Sequence, residues 1–311
     1  MQKNSSKYPV EFVDNPFDEG SPLADWVGEH KLLLVTDHNV VQHVADLGKN
    51  IGSYLKSHNL SLASSPVVLS GGERLKLEPY QSVFQVVNAC LKADLGADDC
   101  VVALGGGTLL DAAGWAVSQV KGSPRLVRIP TTPAAMMDAA FASSASINTA
   151  TVKDALTVAS IPVGVLIAPM LAATVLDGVW RAGISEAVRL AAVHDIKLLK
   201  KFLPIVEAYA RRDAAALDTV VRATVKLRLK KGTTNLGLKS AAEFEPKSVW
   251  KLPHGYAVSI GTLIELNTCV KAGEAEQQTF DDVRTILKQS GALDGLYHSR
   301  HILPPEVANF W

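Results

Sequence analysis

The sequence predicts an α/β protein, with an N-terminal parallel-sheet domain over residues 1–169 followed by an all-helical domain over residues 170–311. Three observations carry that prediction. Val101-Val-Ala-Leu-Gly-Gly-Gly-Thr108 runs four apolar residues straight into three glycines, and the spacing Ala112, Trp115, Ala116 then suggests a helix leaving the turn. Short apolar runs alternate with helical periods on both sides of this stretch, as in a parallel sheet. Beyond Pro169 the period is helical nearly throughout.

Taken in order, Lys31-Leu-Leu-Leu-Val-Thr-Asp37 reads as a buried first strand, and Val40 to Leu55 as a helix with apolar positions three and four apart. Ser65-Pro-Val-Val-Leu-Ser70 is a second strand, followed by a helix from about Tyr80 to Leu95. Cys100 to Leu104 is the central strand, and Arg125-Leu-Val-Arg-Ile-Pro130 is a fourth that ends in Thr131 and Thr132. Residues 133–162 are rich in Ala, Ser and Thr and show no clear period, and Val163 to Ala168 makes one more strand. The helical part is expected over residues 178–199, 214–229, 255–270 and 275–289.

Composition narrows the function classes. The 311 residues are 48% apolar and 20% charged, enough for a large core. Lys plus Arg and Asp plus Glu balance at 31 each, so no net basic field is available for nucleic acid or an anionic membrane. The expected partners are a small molecule and a second copy of the chain. Cys90, Cys100 and Cys269 are odd in number, lack Cys-x-x-Cys spacing and sit in apolar runs, so they read as reduced core thiols of a cytoplasmic protein. No signal peptide or membrane span is expected.

A strand, a glycine turn and a helix N-terminus make an anion site, because glycine lets the backbone approach a diphosphate and the helix points unpaired N–H groups at it. Three glycines alone favour a tight turn with no ligand, and the full Gly-x-Gly-x-x-Gly fingerprint is absent. Their neighbours favour a nucleotide crevice. Thr36, Asp37, Gly105 to Gly107, Thr131 and Thr132 all fall at C-terminal ends of parallel strands, where ligands of such sheets bind.

The residues also resemble a family. Glu73 and Lys76 in Gly-Glu-x-x-Lys, the run Gly105-Gly-Gly with Asp111 and Gly114, Ile129-Pro-Thr-Thr132 with Asp138, Gly183-x-x-Glu186, and His254-Gly-Tyr-Ala-Val-Ser-Ile-Gly261 recur in that order in 3-dehydroquinate synthase and related sugar-phosphate cyclases. The wider superfamily includes the iron-containing alcohol dehydrogenases. The resemblance implies a Rossmann-like NAD-binding domain, a helical domain carrying zinc or cobalt, a small phosphorylated sugar or polyol as substrate, and a homodimer. It implies that Asp37, Glu73, Lys76, Gly105, Gly106, Gly107, Asp111, Thr131 and Thr132 hold NAD. It also implies that Asp138, Lys153, Lys226 and Asn235 face the substrate, and that Glu186 and His254 are catalytic metal ligands. The reaction implied is a closed redox loop: hydride passes from a substrate hydroxyl to NAD, phosphate leaves beside the new ketone, hydride returns, and an aldol step closes the ring.

The chain departs from that pattern where metal and phosphate are held. Asn235-Leu-Gly-Leu-Lys-Ser-Ala-Ala242 has Leu238 at the middle metal ligand and Ala242 at the following His, so the third ligand is missing. Ser144 replaces the phosphate-binding Lys, Lys121 stands for an Arg and Arg189 for a Lys. His194 shares a predicted helix with Glu186, but eight residues place it roughly 12 Å along the axis, too far to substitute. Taken alone, Glu186 reads as a solvated helix carboxylate and His254 as a surface histidine opening a helix. Three functions follow: a diverged cyclase, a NAD-dependent polyol or alcohol dehydrogenase, and a non-catalytic NAD-binding paralogue.

Overall fold

The computed structural model describes residues 8–72, 75, 79–295 and 301–304. Glu73 and Lys76, two of the expected NAD contacts, lie outside the described residues. The chain divides into two compact units. Residues 8–149 and 154–175 form one, and residues 150–153 and those from 176 onward form the other.

The first unit is built on a six-stranded sheet of order β1-β8-β5-β4-β2-β3. Its strands are β1 Val10–Phe12, β2 Leu32–Asp37, β3 Val67–Leu69, β4 Cys100–Gly105, β5 Arg125–Pro130 and β8 Gly164–Ile167, and every pairing is parallel. β2 and β4 are buried along their whole length, which is why they read as continuous apolar runs rather than alternating ones. The register sets Thr36 opposite Leu104 and Gly105 opposite Pro130. Asp37, Gly105 and Thr131 therefore arrive on one rim of the sheet.

Two segments of this unit differ from expectation. The helix expected over Val40 to Leu55 is two helices, His38–His43 and Leu47–Ser57, broken where Asp46 takes a left-handed φ of 53°. The stretch without a period holds a helix, Pro133–Met137, and an antiparallel hairpin of β6 Ser144–Ile147 with β7 Leu156–Ala159. Three of the four β7 residues are exposed and the fourth is half-buried, so no apolar alternation marks that strand.

The second unit is helical. The expected span 178–199 is three helices, Asp177–Ala182, Ile184–His194 and Ile196–Phe202, which part at Gly183 and Asp195. Ile184–His194 is buried at eight consecutive positions from Ile184 to Ala191, which makes it the axis of the unit. Around it lie Ala214–Lys231, Leu238–Lys247, His254–Lys271 and Gln277–Gln289. Leu238–Lys247 packs closely on His254–Lys271, and a Cβ on Gly261 would stand 2.3 Å from the Gly237 carbonyl oxygen, a distance only glycine permits. Glu265 fixes the start of Leu238–Lys247 by accepting from the backbone N–H of Gly237 at 2.7 Å and of Ser240 at 3.0 Å. No helix among the described residues is long and apolar enough to cross a membrane.

Candidate functional site

On the rim of the sheet, Gly105 ends β4 and Gly106 caps the helix Gly107–Gln119 without any side-chain capping bond. The turn leaves no room for side chains. A Cβ on Gly105 would lie 2.8 Å from Leu109 and 3.1 Å from Asp37 Oδ2, one on Gly106 3.1 Å from Thr132 Cγ2, and one on Gly107 3.2 Å from Ala139 Cβ. Cross-strand bonds lock the rim: Thr36 Oγ1 donates to the Leu104 carbonyl at 2.9 Å, and the Thr131 N–H donates to the Gly105 carbonyl at 3.0 Å. Thr132 Oγ1 accepts from the Ala135 N–H at 3.3 Å and starts Pro133–Met137. Asp37 is buried, and its Oδ1 accepts from the Val40 N–H at 3.0 Å. Burial raises its pKa, partly offset by the Val40 and Asn39 N–H groups and by His38.

Arg128, 1% exposed on β5, fixes the loop beyond this rim. Its guanidinium donates to the Ala142 carbonyl at 2.6 Å and to the Ser160 carbonyl at 2.9 Å, and Asp111 on the helix Gly107–Gln119 lies within its electrostatic reach. Asp138, half-buried, joins Pro133–Met137 to the tight turn Ala139–Phe141 that Arg128 holds. In the first unit, then, Asp37, Gly105, Gly106, Gly107, Thr131 and Thr132 converge on one rim, with Asp138 and Asp111 on flanking elements. The shape fits a dinucleotide's diphosphate: a glycine cradle that any Cβ would fill, at a helix start that no side chain caps.

In the second unit, Lys153, Glu186 and His254 come together. Glu186 is 0% exposed, and its Oε2 accepts from Arg189 Nε at 2.5 Å, one helical turn on. Arg189 is also 0% exposed and donates to the Thr234 carbonyl. Glu186 Oε1 faces His254 Nε2 at 3.9 Å. His254 opens His254–Lys271, and its Nδ1 meets Glu245 Oε1 at 2.8 Å. Glu245 Oε2 accepts from Lys153 Nζ at 2.6 Å, and Lys153 Nζ lies 3.1 Å from His254 Nδ1. With its Nδ1–H given to Glu245, the imidazole contacts Lys153 without sharing that proton. The cluster thus holds two carboxylates, two basic side chains and one histidine.

Charge pairing governs its protonation. Burial pushes the Glu245 carboxyl up, but His254 and Lys153 reverse this and hold it at about 2. Burial and the Lys153 ammonium push His254 down, yet Glu245 and Glu186 outweigh both and raise its pKa. Glu186 is not the solvated group that its helix position alone suggested, and His254, its side chain 31% exposed, is held by Glu245 rather than free at the surface.

The expected zinc or cobalt site does not fit these residues. Ligand atoms must converge at about 2.0–2.2 Å from one point. Among the described residues no group of three or more His, Cys, Asp or Glu side chains does so. Leu238 stands at the middle ligand, Ala242 is exposed, and His194 Nε2 meets the Thr233 carbonyl at 3.2 Å. Lys226 and Asn235 are exposed, and among the described residues neither shares a hydrogen bond with the cluster. Two members were not assigned from sequence. Arg189 is the third residue after Glu186, an ion-pair spacing on a helix, and Glu245 lies seven residues beyond Leu238, two turns along the same face.

Residues 66–181 match the family model described as 3-dehydroquinate synthase N-terminal. A curated 3-dehydroquinate synthase of Shewanella halifaxensis is 25% identical over 306 residues, covering 92% of this chain and 81% of that relative. Among solved structures, ValA, a 2-epi-5-epi-valiolone synthase from Streptomyces hygroscopicus subsp. jinggangensis with NAD+ and Zn2+ bound, superposes with a TM-score of 0.79 at 25% identity, over 94% of this chain and 87% of that one. A 2-deoxy-scyllo-inosose synthase complexed with carbaglucose-6-phosphate, NAD+ and Co2+ shares the fold at a TM-score of 0.78 and 15% identity, over 95% of this chain and 84% of that one. Motif order, family model, curated relatives and fold agree in one direction: the chain is similar to 3-dehydroquinate synthase and to the sugar-phosphate cyclases that share its fold.

Proposed function

We propose that the chain is a NAD-dependent sugar-phosphate cyclase of altered specificity, closing a ring on a small phosphorylated sugar or polyol. The observation that carries this reading is the Gly105–Gly107 cradle, set on the sheet rim beside Asp37, Thr131 and Thr132. Its support is kinship: the solved relatives described above carry NAD+ in their structures. When bound, NAD would accept hydride from a substrate hydroxyl and later return it. This chain's residues would hold it: the N–H groups at the start of Gly107–Gln119 meet diphosphate, and the Thr131–Thr132 and Asp37 strand ends close the crevice. Asp138 and Lys153 are proposed to face substrate, Asp138 as a hydrogen-bond acceptor and Lys153 as a cation for an oxygen or phosphate. Glu186, His254, Lys226 and Asn235 complete the proposed catalytic set.

The donor set of the second unit does not fit a metal, so this reading relies on the chain's own side chains there. A plain polyol dehydrogenase, or a paralogue that only binds NAD, would leave unused the ring-closing chemistry of the enzymes the chain is similar to. In the cell we propose a cytoplasmic homodimer. Buried Cys90 and Cys100, whose thiols burial pushes up to about 11 and about 12, are suited to a reducing compartment.

Calorimetric titration with NAD tests the cofactor, and an assay of phosphate release tests the chemistry. On the standard seven-carbon precursor of 3-dehydroquinate, turnover is expected to stay below about 1 per second, because Ser144 and Leu238 remove contacts that such a reaction strengthens towards its transition state. Ordinary turnover on that precursor would refute the altered specificity, and no NAD binding would refute the reading as a whole.

A further inference from the structure

We propose that the Arg189 guanidinium and the Lys153 ammonium take the electrostatic place of a divalent ion, so that Glu186, Glu245 and His254 form a closed ion-pair cluster that excludes zinc and cobalt. The argument is one of charge and available lone pairs. Glu186 Oε2 is engaged by Arg189 at 2.5 Å, Glu245 Oε2 by Lys153 at 2.6 Å, and Glu245 Oε1 by His254 at 2.8 Å. Two carboxylates and two cations already sum to zero. A dication entering this space would leave it doubly positive with both carboxylates 1% exposed or less, a state that burial penalises heavily. Glu186 Oε1 and His254 Nε2 face each other at 3.9 Å and supply two donors at most; to gain a third ligand the ion would have to pull Glu186 from Arg189 or Glu245 from Lys153. The three-carbon stem of Arg189 carries its charge to Glu186 from the next turn of the same helix, so the pair is fixed by one rigid element rather than by the meeting of several.

Leu238 has a reason in this arrangement. A second imidazole there would add a third metal donor where no ion needs one, whereas an apolar side chain leaves the carboxylates to their internal cations. Lys153 has the same logic from the other side. It belongs to the helical unit through the four residues Ala150–Lys153 alone, and within that segment it is the cation that Glu245 accepts from. The inference goes beyond the proposed function and holds whether or not the chain turns over a substrate.

Metal analysis of the full-length protein, purified without chelator and then incubated with micromolar zinc or cobalt and desalted, tests it together with melting temperatures in zinc, cobalt and chelator. The wild-type chain is expected to retain far less than one metal per chain and to melt at the same temperature in all three. Lys153→Ala is expected to melt several degrees lower and to regain part of the loss on adding zinc, because two donors and a net negative charge then face the vacated space. Stoichiometric metal in the wild type, with a melting temperature that falls on chelation, overturns the proposal. So does a Lys153→Ala chain that melts like wild type, or one whose loss zinc leaves untouched. If that variant does not fold, the wild-type metal content decides alone.

Discussion

Replacing Glu245 by Gln keeps the shape of the side chain and removes the charge shared by Lys153 and His254. Its size follows from the carboxyl's own titration, held at about 2 in the folded chain against an ordinary 4.5. A difference of that size corresponds to roughly 3 kcal/mol of folding free energy at neutral pH. The sign is set by a depressed carboxyl: the contribution is complete above about pH 4.5 and disappears as pH falls through about 2, so by about pH 3 less than half of it remains. His254 acts in the opposite sense. Its raised pKa gives stability that is complete below its ordinary value of 6.5 and is lost as pH rises through the folded value, so the cluster contributes most between about pH 4.5 and 6.5. Urea unfolding followed by tryptophan fluorescence, on wild type and Glu245→Gln at pH 7 and near pH 3, gives both quantities by linear extrapolation. The expected outcome is a loss of roughly 3 kcal/mol at pH 7, or roughly 6–12 °C in melting temperature, shrinking by more than half near pH 3. Equal stabilities at pH 7, or a loss that does not change with pH, would refute the electrostatic account of the cluster.

Two further substitutions probe other parts of the fold. Gly106→Val sets a branched side chain against Thr132 Cγ2, which a Cβ alone would approach to 3.1 Å, and should weaken NAD binding by at least about tenfold in calorimetry while the circular dichroism spectrum stays that of wild type. Gly261→Ala drives a methyl to 2.3 Å from the Gly237 carbonyl oxygen and should cost about 1–3 kcal/mol by thermal unfolding, with Gly273→Ala, at a left-handed φ of 76° but in open space, as the milder control.

The sheet was legible because parallel strands buried on both faces are largely apolar runs, and β2, β4 and β5 are so apart from Thr36, Asp37, Arg125 and Arg128, within a residue of where the sequence ends them. Strands that hide their pattern were not legible. β1 is three residues long, and β7 turns most of its side chains to solvent. In the helical unit, long periods set the helices Ala214–Lys231 and Gln277–Gln289 to within two residues at each end. Leu238–Lys247 escaped because it starts at a left-handed Gly237, carries Pro246 inside, and relies on Glu265, 25 residues further on than Ser240, to satisfy its first N–H groups. Missing that helix meant missing Glu245, since a carboxylate has no face until its element is known. The rim residues needed no such knowledge: their positions at strand ends follow from strand length alone.

The excursion of Ala150–Lys153 gives the chain an unusual wiring. Among the described residues the backbone leaves the sheet unit at Thr149, returns to it at Asp154 and leaves it again at Val175, so three covalent passages there join the units where one would have sufficed. A fragment starting at Leu176 would inherit every helix of the second unit and yet lack the ammonium that Glu245 accepts from. Such a fragment carries a buried carboxylate with half its partners gone, and it should be expressed poorly or fold only at low pH, where that carboxyl is protonated. Protease nicking at the hairpin joining β6 to β7 would have the same effect without removing a single helix. In evolutionary terms the helical unit is not a portable module: duplication, fusion or domain exchange at the Val175 boundary strands its charge balance in the piece left behind.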